Sequence, residues 1–565
     1  MSDDAEAGWE MEFVSGHNED FATQIKNTDP TFNIDKIYLD AYQQYATAGG
    51  QKYPDAEADL NRRIQKGTLI LNYSGHGGEL QLTSEGVIDI NIVNAWKNLN
   101  GLPMFVTATC EFSRFDDPSR TSCGELVLLN SQGGGICLFT TTRIAYSSDA
   151  NALGPAFFNS ALNQINGWYP RTGDIIRLTK QGSNRSYTHF CLLGDPAITL
   201  AYPKQRIYTT EINAKPVSVS GNDTLKALSR ITIKGYVGDK NGTKLTSFNG
   251  IVFPTVFDKP SQQSTLGNDL GPAAMIGFSV QKNILYKGKA SVVNGDFEFN
   301  FIVPKDINYQ FGKGKLSYYG HNGSIDAAGY YDNIYVGGSD ANPLVDNAGP
   351  QISLYMNDEN FAVGGTTNEN PKIFMKLLDS SGVNTVGSGI GHDVTAILDG
   401  DNTNPLVLND FYEADINNYK AGKIYYPLTD LDEGNHTLDV KVWDVQNNSS
   451  TASTEFIVAA SAEMALKQVL NYPNPFTTNT KFFVEHNQCC VPLDLSIQIF
   501  TISGKLIKTI NQDVQNQGFR IDGVDWDGKD DFGDKIGRGV YIYKVNIRSS
   551  TGISAEKIEK LVILN

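Results

Sequence analysis

The sequence predicts a multidomain protein, with an α/β domain at its N-terminus followed by β-sandwiches. The length of 565 residues suits three to five domains at roughly 150 residues each. Up to about residue 200, short apolar runs alternate with helical segments, the pattern of an α/β fold. Beyond that point apolar and polar residues alternate in short runs between Gly, Asn and Asp turns, which predicts antiparallel strands.

In the α/β region, near-continuous apolar runs predict strands buried in a parallel sheet. The helical pattern between them predicts helices that cover this sheet. The predicted strands are 67–73, 104–108 and 135–140, and the predicted helices are 87–99, 124–130 and 155–163.

Breaks in the pattern divide the chain into four predicted domains. The α/β domain covers residues 1–203, and a first β-sandwich covers 204–346. The turn-rich stretch 346–350 separates it from an immunoglobulin-like β-sandwich over 347–460. A final β-sandwich of about a hundred residues covers 466–565.

Composition excludes several classes of protein. There are 46 basic and 63 acidic residues, a net charge of −17, and no run rich in Lys or Arg, which argues against nucleic-acid binding. A hydrophobic fraction of 40% excludes disorder as the main state. No apolar stretch approaches the roughly 20 residues that cross a bilayer. The six cysteines form no regular pattern of disulfides, and the adjacent Cys489 and Cys490 are interpreted as free thiols or a vicinal disulfide.

Two strand ends carry the residue types of a catalytic pair. The strand at 67–73 runs into Ser74-Gly75-His76-Gly77-Gly78, whose glycines allow a tight turn at the carboxyl edge of the sheet. The strand at 104–108 ends at Thr109-Cys110-Glu111. If the two strands are neighbours, a thiol and an imidazole meet at one edge.

Such a pair can act as a cysteine peptidase. A nearby imidazole lowers the pKa of a thiol, and the thiolate can attack an amide carbonyl. His76 would then protonate the leaving amine, and the backbone N–H groups of Gly77 and Cys110 would hold the oxyanion. The alternative is that these residues are structural, because a cysteine at a strand end is more often buried than reactive. We apply that alternative to Cys123, Cys137 and Cys191.

Three segments resemble the gingipain-type cysteine peptidases of the caspase-like clan. They are Asn72-Tyr73-Ser74-Gly75-His76-Gly77, Thr107-Ala108-Thr109-Cys110 and Leu193-Gly194-Asp195-Pro196. The resemblance covers roughly residues 1 to 200 and implies that Cys110 is the nucleophile and His76 the general base. It also implies an upstream acid that orients the histidine; the matching position is Asp4, with Asp3 as the alternative. Because only Met1 and Ser2 precede this acidic pair, too few residues for the strand that should lead to it, we expect the chain to be a fragment of a longer protein.

The final domain resembles the C-terminal sorting domains of type IX secretion. The resemblance rests on Asn471-Tyr472-Pro473-Asn474-Pro475-Phe476, Asp525-Trp526-Asp527-Gly528 and Gly537-Arg538-Gly539-Val540-Tyr541. Together with the segment 108–117, this resemblance implies that the chain belongs to the branch of the gingipain family that removes sorting domains from secreted cargo at the cell surface. The implied partners are those sorting domains, the outer-membrane β-barrel PorV and an amine of lipopolysaccharide as acyl acceptor. No cofactor or metal is expected.

Two other functions stay open at this point. The chain could be a secreted gingipain-like protease that is itself cargo and loses its last domain on export. It could also be a surface adhesin whose α/β domain has no activity, because a fold does not by itself determine function. The intact Cys and His pair argues against the adhesin.

Overall fold

The computed structural model describes residues 1–182, 189–217, 224–386, 391–459, 466–486, 492–515, 520–549 and 554–564. Cys489 and Cys490 lie outside these residues, so their predicted state stays a prediction. Within the described ranges, we find no helix that combines the length and the apolar character needed to cross a membrane.

The N-terminal region contains a central sheet with helices on both faces. Its α-helices are α1 (Glu19–Thr28), α2 (Pro54–Lys66), α3 (Ile90–Ala95), α4 (Cys123–Leu129), α5 (Ser147–Leu162) and α6 (Thr172–Gly182). Shorter helical turns cover Gly8–Phe13, Val14–Asn18 and Leu39–Ala41. Its strands are β1 (Tyr45–Thr47), β2 (Gly50–Lys52), β3 (Ile70–Ser74), β4 (Gln81–Leu82), β5 (Ile88–Asp89), β6 (Met104–Ala108), β7 (Cys137–Thr141) and β8 (Phe190–Leu193).

The central sheet has the strand order β3-β6-β7-β8. The first three strands are parallel, and β8 runs antiparallel to β7. Phe105 packs with residues of α2, α3 and α4, whereas Met104 and Val106 pack with residues of α1, α5 and α6 on the other face. Because both faces of β6 are covered, all its positions favour apolar residues. The predicted α/β architecture is confirmed.

The boundaries of α3 and α5 differ most from the sequence prediction, and α3 also ends earlier than predicted, at Ala95. The segment predicted as a helix over 87–99 begins with β5, because the Asp89 side chain accepts a hydrogen bond from Ile92 N at 2.9 Å and so starts α3 only at Ile90. The helix predicted over 155–163 begins eight residues earlier, at Ser147, and Pro155 lies inside it. A proline within a helix is a common reason to place a boundary too late.

Residues Met1 to Asp3 lie beside β3 and extend the sheet. Ser2 forms parallel bridges with both Ser74 and Tyr38. Asp3 N donates to Ser74 O at 3.1 Å, and Ser74 N donates to Met1 O at 3.2 Å. The start of the chain therefore lies next to the carboxyl end of β3.

The second region forms one continuous sheet folded over a single core. Its strands are β9 (Gln205–Ile212), β10 (Lys215–Pro216), β11 (Thr224–Ala227), β12 (Arg230–Gly238), β13 (Gly250–Phe257), β14 (Ser261–Ser264), β15 (Gly277–Val280), β16 (Ile284–Lys287), β17 (Ala290–Val292), β18 (Asp296–Ile302), β19 (Gly312–His321) and β20 (Asp326–Ser339). The main strand order is β16-β13-β19-β20-β9-β12-β18, and β14 pairs with β15 outside this sheet. Ile233, Phe299 and Leu316 from three different strands meet in one buried cluster.

The third region is a two-sheet sandwich. Its strands are β21 (Gln351–Met356), β22 (Gly365–Thr367), β23 (Lys372–Leu378), β24 (Thr395–Leu398), β25 (Leu406–Val407), β26 (Tyr412–Asp415), β27 (Asn418–Pro427), β28 (Gly434–Trp443) and β29 (Ser449–Val458). The sheets β21-β23-β27-β26 and β22-β29-β28-β24-β25 enclose a core that includes Met375, Ile424 and Val440. This is the predicted immunoglobulin-like class.

The last region is a second two-sheet sandwich. Its strands are β30 (Leu466–Tyr472), β31 (Thr480–His486), β32 (Pro492–Thr501), β33 (Leu506–Gln515), β34 (Arg520–Trp526), β35 (Gly539–Ser549) and β36 (Ser554–Ile563). The sheets β30-β31-β34 and β33-β32-β35-β36 pack around Phe482, Ile497 and Val545. Gly504, with a φ of 85°, makes the turn between β32 and β33.

An arm formed by β14, β15 and the loop between them, residues 261–280, crosses from the second region to the first. The Phe278 ring packs against Tyr38 with a centroid distance of 4.9 Å, and Val14 and Val280 complete this apolar contact. The Asp40 carboxylate accepts hydrogen bonds from Gly267 N at 3.1 Å and Asn268 N at 2.8 Å. The arm therefore joins the two regions through both apolar and polar contacts.

An ion pair also joins these two regions. Arg206 Nη2 at the start of β9 lies 3.0 Å from Asp29 Oδ2 at the end of α1. Burial alone would raise the pKa of Asp29, but hydrogen bonds from Arg206 and Thr31, together with the guanidinium charge, lower it below its ordinary value. The pair therefore stabilises the folded chain when Asp29 is ionised.

We expect Asp29→Asn to reduce the free energy of unfolding by about 1–3 kcal/mol near neutral pH. Because the folded-state pKa of Asp29 is lowered, its stabilisation is present above about pH 3.9, the ordinary aspartate pKa, and is lost as the pH falls below that. Urea unfolding of both proteins at neutral and at acidic pH measures this difference. Asp116→Asn is the control, because Asp116 pairs with Arg143 at the exposed surface and should change stability little. A loss that is equal in both variants would contradict the prediction.

Candidate active site

The two predicted strand ends are neighbours in the sheet. Strands β3 and β6 pair in parallel, with Ser74 opposite Ala108. His76 and Cys110 each follow two residues after this aligned pair, so both lie beyond the same carboxyl edge. The sheet topology therefore brings together the residues that the sequence pattern could only suggest as neighbours.

Glycines let the loops after these strands approach each other. A Cβ atom on Gly77 would lie 2.6 Å from Thr109 Oγ1, and one on Gly75 would lie 2.4 Å from Asp3 Cβ. Both distances are below any real Cβ contact, so larger residues would push the loops apart. The glycines on either side of His76 are therefore required by close packing around the site.

Cys110 is half-buried at a sharp turn of the backbone. Its Sγ donates a hydrogen bond to Ala145 O at 3.4 Å. The next residue, Glu111, has a φ of 50°, which is uncommon for a residue with a side chain, and its N–H donates to Arg143 O at 3.2 Å. The loop that follows β7 thus fixes the turn and leaves the thiol partly accessible.

The other cysteines of this domain have different surroundings. Cys123 and Cys137 are fully buried, and burial raises the pKa of each thiol to about 12. Burial also raises the pKa of Cys191. A thiol with a raised pKa is a poor nucleophile near neutral pH. These observations agree with the structural role predicted for all three.

The His76 ring is held by a carboxylate that the sequence analysis did not select. Glu10 Oε1 lies 2.7 Å from His76 Nε2, and Glu10 Oε2 accepts a hydrogen bond from Ala7 N at 2.7 Å. The Glu10 side chain is 6% exposed, against 46% for His76. The rings of Trp9 and Phe13 stand edge-on to the imidazole, with centroids 6.0 and 5.8 Å away. Carboxylate and aromatic contacts together fix the orientation of the ring.

Asp4, the predicted orienting acid, does not contact the His76 ring. Asp4 Oδ2 accepts a hydrogen bond from Tyr53 OH at 2.8 Å. Burial and the nearby Glu85 charge raise the pKa of Asp4 to about 7. Asp3, the alternative, binds the His76 backbone, with Oδ2 accepting from His76 N at 2.7 Å. The prediction for Asp4 is corrected, because residues 1–3 run along β3 and neither Asp3 nor Asp4 reaches the imidazole.

Glu10 reaches the ring because the chain turns back over the sheet edge in the short helix Gly8–Phe13. The sequence signal for this role was weak. It consisted of two acids, Glu10 and Glu12, that alternate with the apolar residues Trp9, Met11 and Phe13. A buried acidic residue needs a polar partner, and His76 is the partner of Glu10.

The two predicted oxyanion donors are available. Within the described part of the chain, neither Gly77 N nor Cys110 N donates a hydrogen bond to another protein atom. Each belongs to one of the two touching loops. Backbone N–H groups that have no internal partner at a nucleophile can bind the oxygen of a tetrahedral intermediate.

The fold and the site define the class of protein. A parallel sheet with helices on both faces presents a thiol, an imidazole and a carboxylate at its carboxyl edge, which is the arrangement of a caspase-like cysteine peptidase. Residues 1–201 match the model of peptidase family C25. This part of the chain is therefore a family C25 cysteine peptidase domain of the gingipain type.

Solved structures of two proteins are similar to the chain. Dimeric latent PorU from Porphyromonas gingivalis is 30% identical in sequence, and the match covers 72% of this chain and 39% of that one, with a TM-score of 0.31. The complex of the pro- and mature domains of RgpB from the same organism is 15% identical, with 56% and 62% covered and a TM-score of 0.28. The chain thus spans about two fifths of PorU. Among curated proteins, none matches the sequence.

Proposed function

We propose that the chain is a cell-surface cysteine endopeptidase that removes the C-terminal sorting domain from cargo of type IX secretion, as a protein of the PorU type. One observation supports the peptidase chemistry: Cys110, His76 and Glu10 lie at the same edge of the sheet. The resemblance of residues 466–565 to sorting domains, and of 108–117 to the processing branch of the family, supports the more specific role.

The first half of the reaction forms an acyl-enzyme. With Nε2 held by Glu10, Nδ1 of His76 is the ring nitrogen left to take the thiol proton. The Cys110 thiolate then forms a C–S bond with the scissile carbonyl carbon, and the oxyanion accepts hydrogen bonds from Gly77 N and Cys110 N. When the C–N bond breaks, His76 returns its proton to the leaving amine. No cofactor takes part in these steps.

The second half releases the product. Water or a primary amine attacks the thioester, gives a proton to His76, and displaces Cys110 as a thiol after that proton is returned. Water yields hydrolysis. An amine of lipopolysaccharide as acceptor yields transpeptidation.

The surface beside the nucleophile suits an extended peptide. Ile144 and Tyr146, which flank the Ala145 carbonyl bound by Cys110, are 61% and 72% exposed, and Trp9 next to His76 is 53% exposed. Exposed apolar side chains around a reactive group mark a binding surface. We infer that a linker segment of the cargo with apolar side chains binds here.

We expect the mature protein to retain residues 466–565 at the cell surface, because a processing enzyme that lost this domain would no longer be held where cargo emerges. The domain has its own core, so it can dock onto a partner, proposed to be the outer-membrane β-barrel PorV, as an independent unit. Intact-mass spectrometry of the protein recovered from the outer membrane measures its length. A mature protein that ends before Asn471 would instead be processed cargo, and a secreted gingipain-like protease would be the better function.

A further inference from the structure

Glu79 joins the two loops that carry the catalytic pair. The histidine loop covers residues 75–80, and the cysteine loop covers residues 109–122. Glu79 Oε1 accepts a hydrogen bond from Arg114 Nη1 at 2.7 Å, and Glu79 Oε2 lies 3.4 Å from Arg120 Nε. The Glu79 side chain is 13% exposed, so water screens these charge-assisted contacts only in part. One largely buried carboxylate therefore holds two positions of the cysteine loop against the histidine loop.

Among the described residues, the Glu79 side chain makes the direct polar contact between the two loops. Within the same residues, no backbone hydrogen bond joins the histidine loop to the cysteine loop. One such bond lies just beyond the cysteine loop, where Cys123 N donates to Glu79 O at 2.6 Å. Arg114 Nη1 also lies 3.9 Å from Glu111 Oε1, so the same guanidinium contacts the residue after the nucleophile. The side chains of Glu79 and Arg114 therefore fix the relative position of the loops.

The two proposed oxyanion donors lie on different loops. Gly77 N belongs to the histidine loop, two residues before Glu79. Cys110 N belongs to the cysteine loop, four residues before Arg114, and the pairing of β3 with β6 ends before either donor. A tetrahedral oxyanion needs both donors at about 2.7–3.1 Å, and a misplacement of about 1 Å can lower a rate about 10²-fold. The spacing of the loops therefore decides how well the oxyanion is stabilised.

We propose that Glu79 is a positioning residue, which sets the spacing of the two oxyanion donors through Arg114. The His76 ring is held by Glu10 and two aromatic rings, and the Cys110 thiol donates to a backbone carbonyl. Because none of these contacts involves Glu79, its loss should leave thiolate formation intact and weaken the steps that build an oxyanion. The inference rests on the peptidase chemistry of the proposed function and not on its cargo.

Two small reagents separate these effects at Cys110. Acylation by p-nitrophenyl acetate forms a C–S bond at a carbonyl carbon through a tetrahedral oxyanion, and p-nitrophenolate leaves when the C–O bond breaks. Alkylation by iodoacetamide displaces iodide at a saturated carbon and forms no oxyanion. Both reactions need the thiolate, so a variant that alters the thiolate or the fold changes both rates together. The part of each wild-type rate that Cys110→Ala loses belongs to this thiol.

We expect Glu79→Gln to lower the acylation rate of Cys110 by about 10- to 100-fold. The amide keeps the shape of the side chain but not its charge, and its NH₂ group cannot accept a hydrogen bond from a guanidinium. The alkylation rate should not fall, because removal of a negative charge does not disfavour a thiolate. Arg114→Gln should give a similar loss of acylation. The variant that carries both changes should be no slower than the slower single variant, because the two side chains act as one unit.

Asp116→Asn is the matched control. Asp116 lies on the cysteine loop, but it pairs with Arg143 at the exposed surface and not with the histidine loop. Both rates should therefore stay near those of the wild type. An acylation loss in this variant as large as that in Glu79→Gln would overturn the proposal.

Other outcomes would overturn it as well. They are a wild-type acylation rate in Glu79→Gln, an alkylation rate that falls in step with acylation, and losses that multiply in the double variant. If Cys110→Ala lost none of the acylation rate, the peptidase chemistry would be contradicted and this inference with it. Cargo that stays uncut by a protein with the expected acylation rates would contradict only the proposed substrate.

Discussion

Replacement of Cys110 by alanine is expected to reduce cargo cleavage by about 10⁴-fold or more, because the acyl-enzyme cannot form without the thiolate. The fold should persist, since the thiol is half-buried and makes one weak hydrogen bond, to Ala145 O at 3.4 Å. The measurement is the rate at which the purified protein removes a sorting domain from cargo. His76→Ala should give a loss of similar size, because the nucleophile and its base act as a unit.

Cys191→Ala is the matched control, because Cys191 lies on β8 of the same sheet and is also partly buried. Its cleavage rate should stay near that of the wild type. Cleavage by the Cys110→Ala protein at the wild-type rate would show that the nucleophile lies elsewhere and would favour an adhesin role for this chain.

Replacement of Glu10 by glutamine should lower kcat by about 10²- to 10⁴-fold, with a small change in KM. The amide still reaches His76 Nε2, but its NH₂ group can donate to that nitrogen and so favour the tautomer that carries its proton on Nδ1, in which Nδ1 can no longer accept the thiol proton. The amide also stabilises the imidazolium less than a carboxylate does. We therefore expect iodoacetamide to alkylate Cys110 more slowly near neutral pH in this variant than in the wild type.

Asp4→Asn provides the comparison, since Asp4 contacts Tyr53 and not the imidazole. It should leave the rate of Cys110 alkylation unchanged. A larger fall in that rate in Asp4→Asn than in Glu10→Gln would restore the assignment that the sequence pattern suggested and would contradict the geometry.

Much of the fold could be predicted because its signals are local. The apolar run at 104–108 is β6 to the residue. The pairing of His76 with Cys110 needed one non-local fact, that β3 and β6 are neighbours, and resemblance to a family supplied it. The periodicity of the β regions predicted strands correctly but could not show that the strands from β9 to β20, except β14 and β15, share one continuous sheet.

The remaining features depend on where distant segments meet. Glu10 reaches His76 through a helical turn that crosses the sheet edge. The spacing of residues in the sequence does not predict that the chain comes back over this edge. The contact of Glu79 with Arg114 likewise depends on the approach of two loops that follow different strands. Alternation along one strand indicates which face a residue occupies, but it carries no information about partners from other elements.

The arm at 261–280 has a consequence for how the protein can be divided. The hydrophobic pattern of the sequence changes near residue 203, which suggests a domain boundary there. Phe278 and Val280 nevertheless complete the packing of Val14 and Tyr38 across this boundary. Cutting the chain there would expose an apolar surface on the peptidase side and leave the Asp40 carboxylate without its two backbone donors. The catalytic domain and the β domain after it therefore form one cooperative unit, which has to be expressed and crystallised as a single piece.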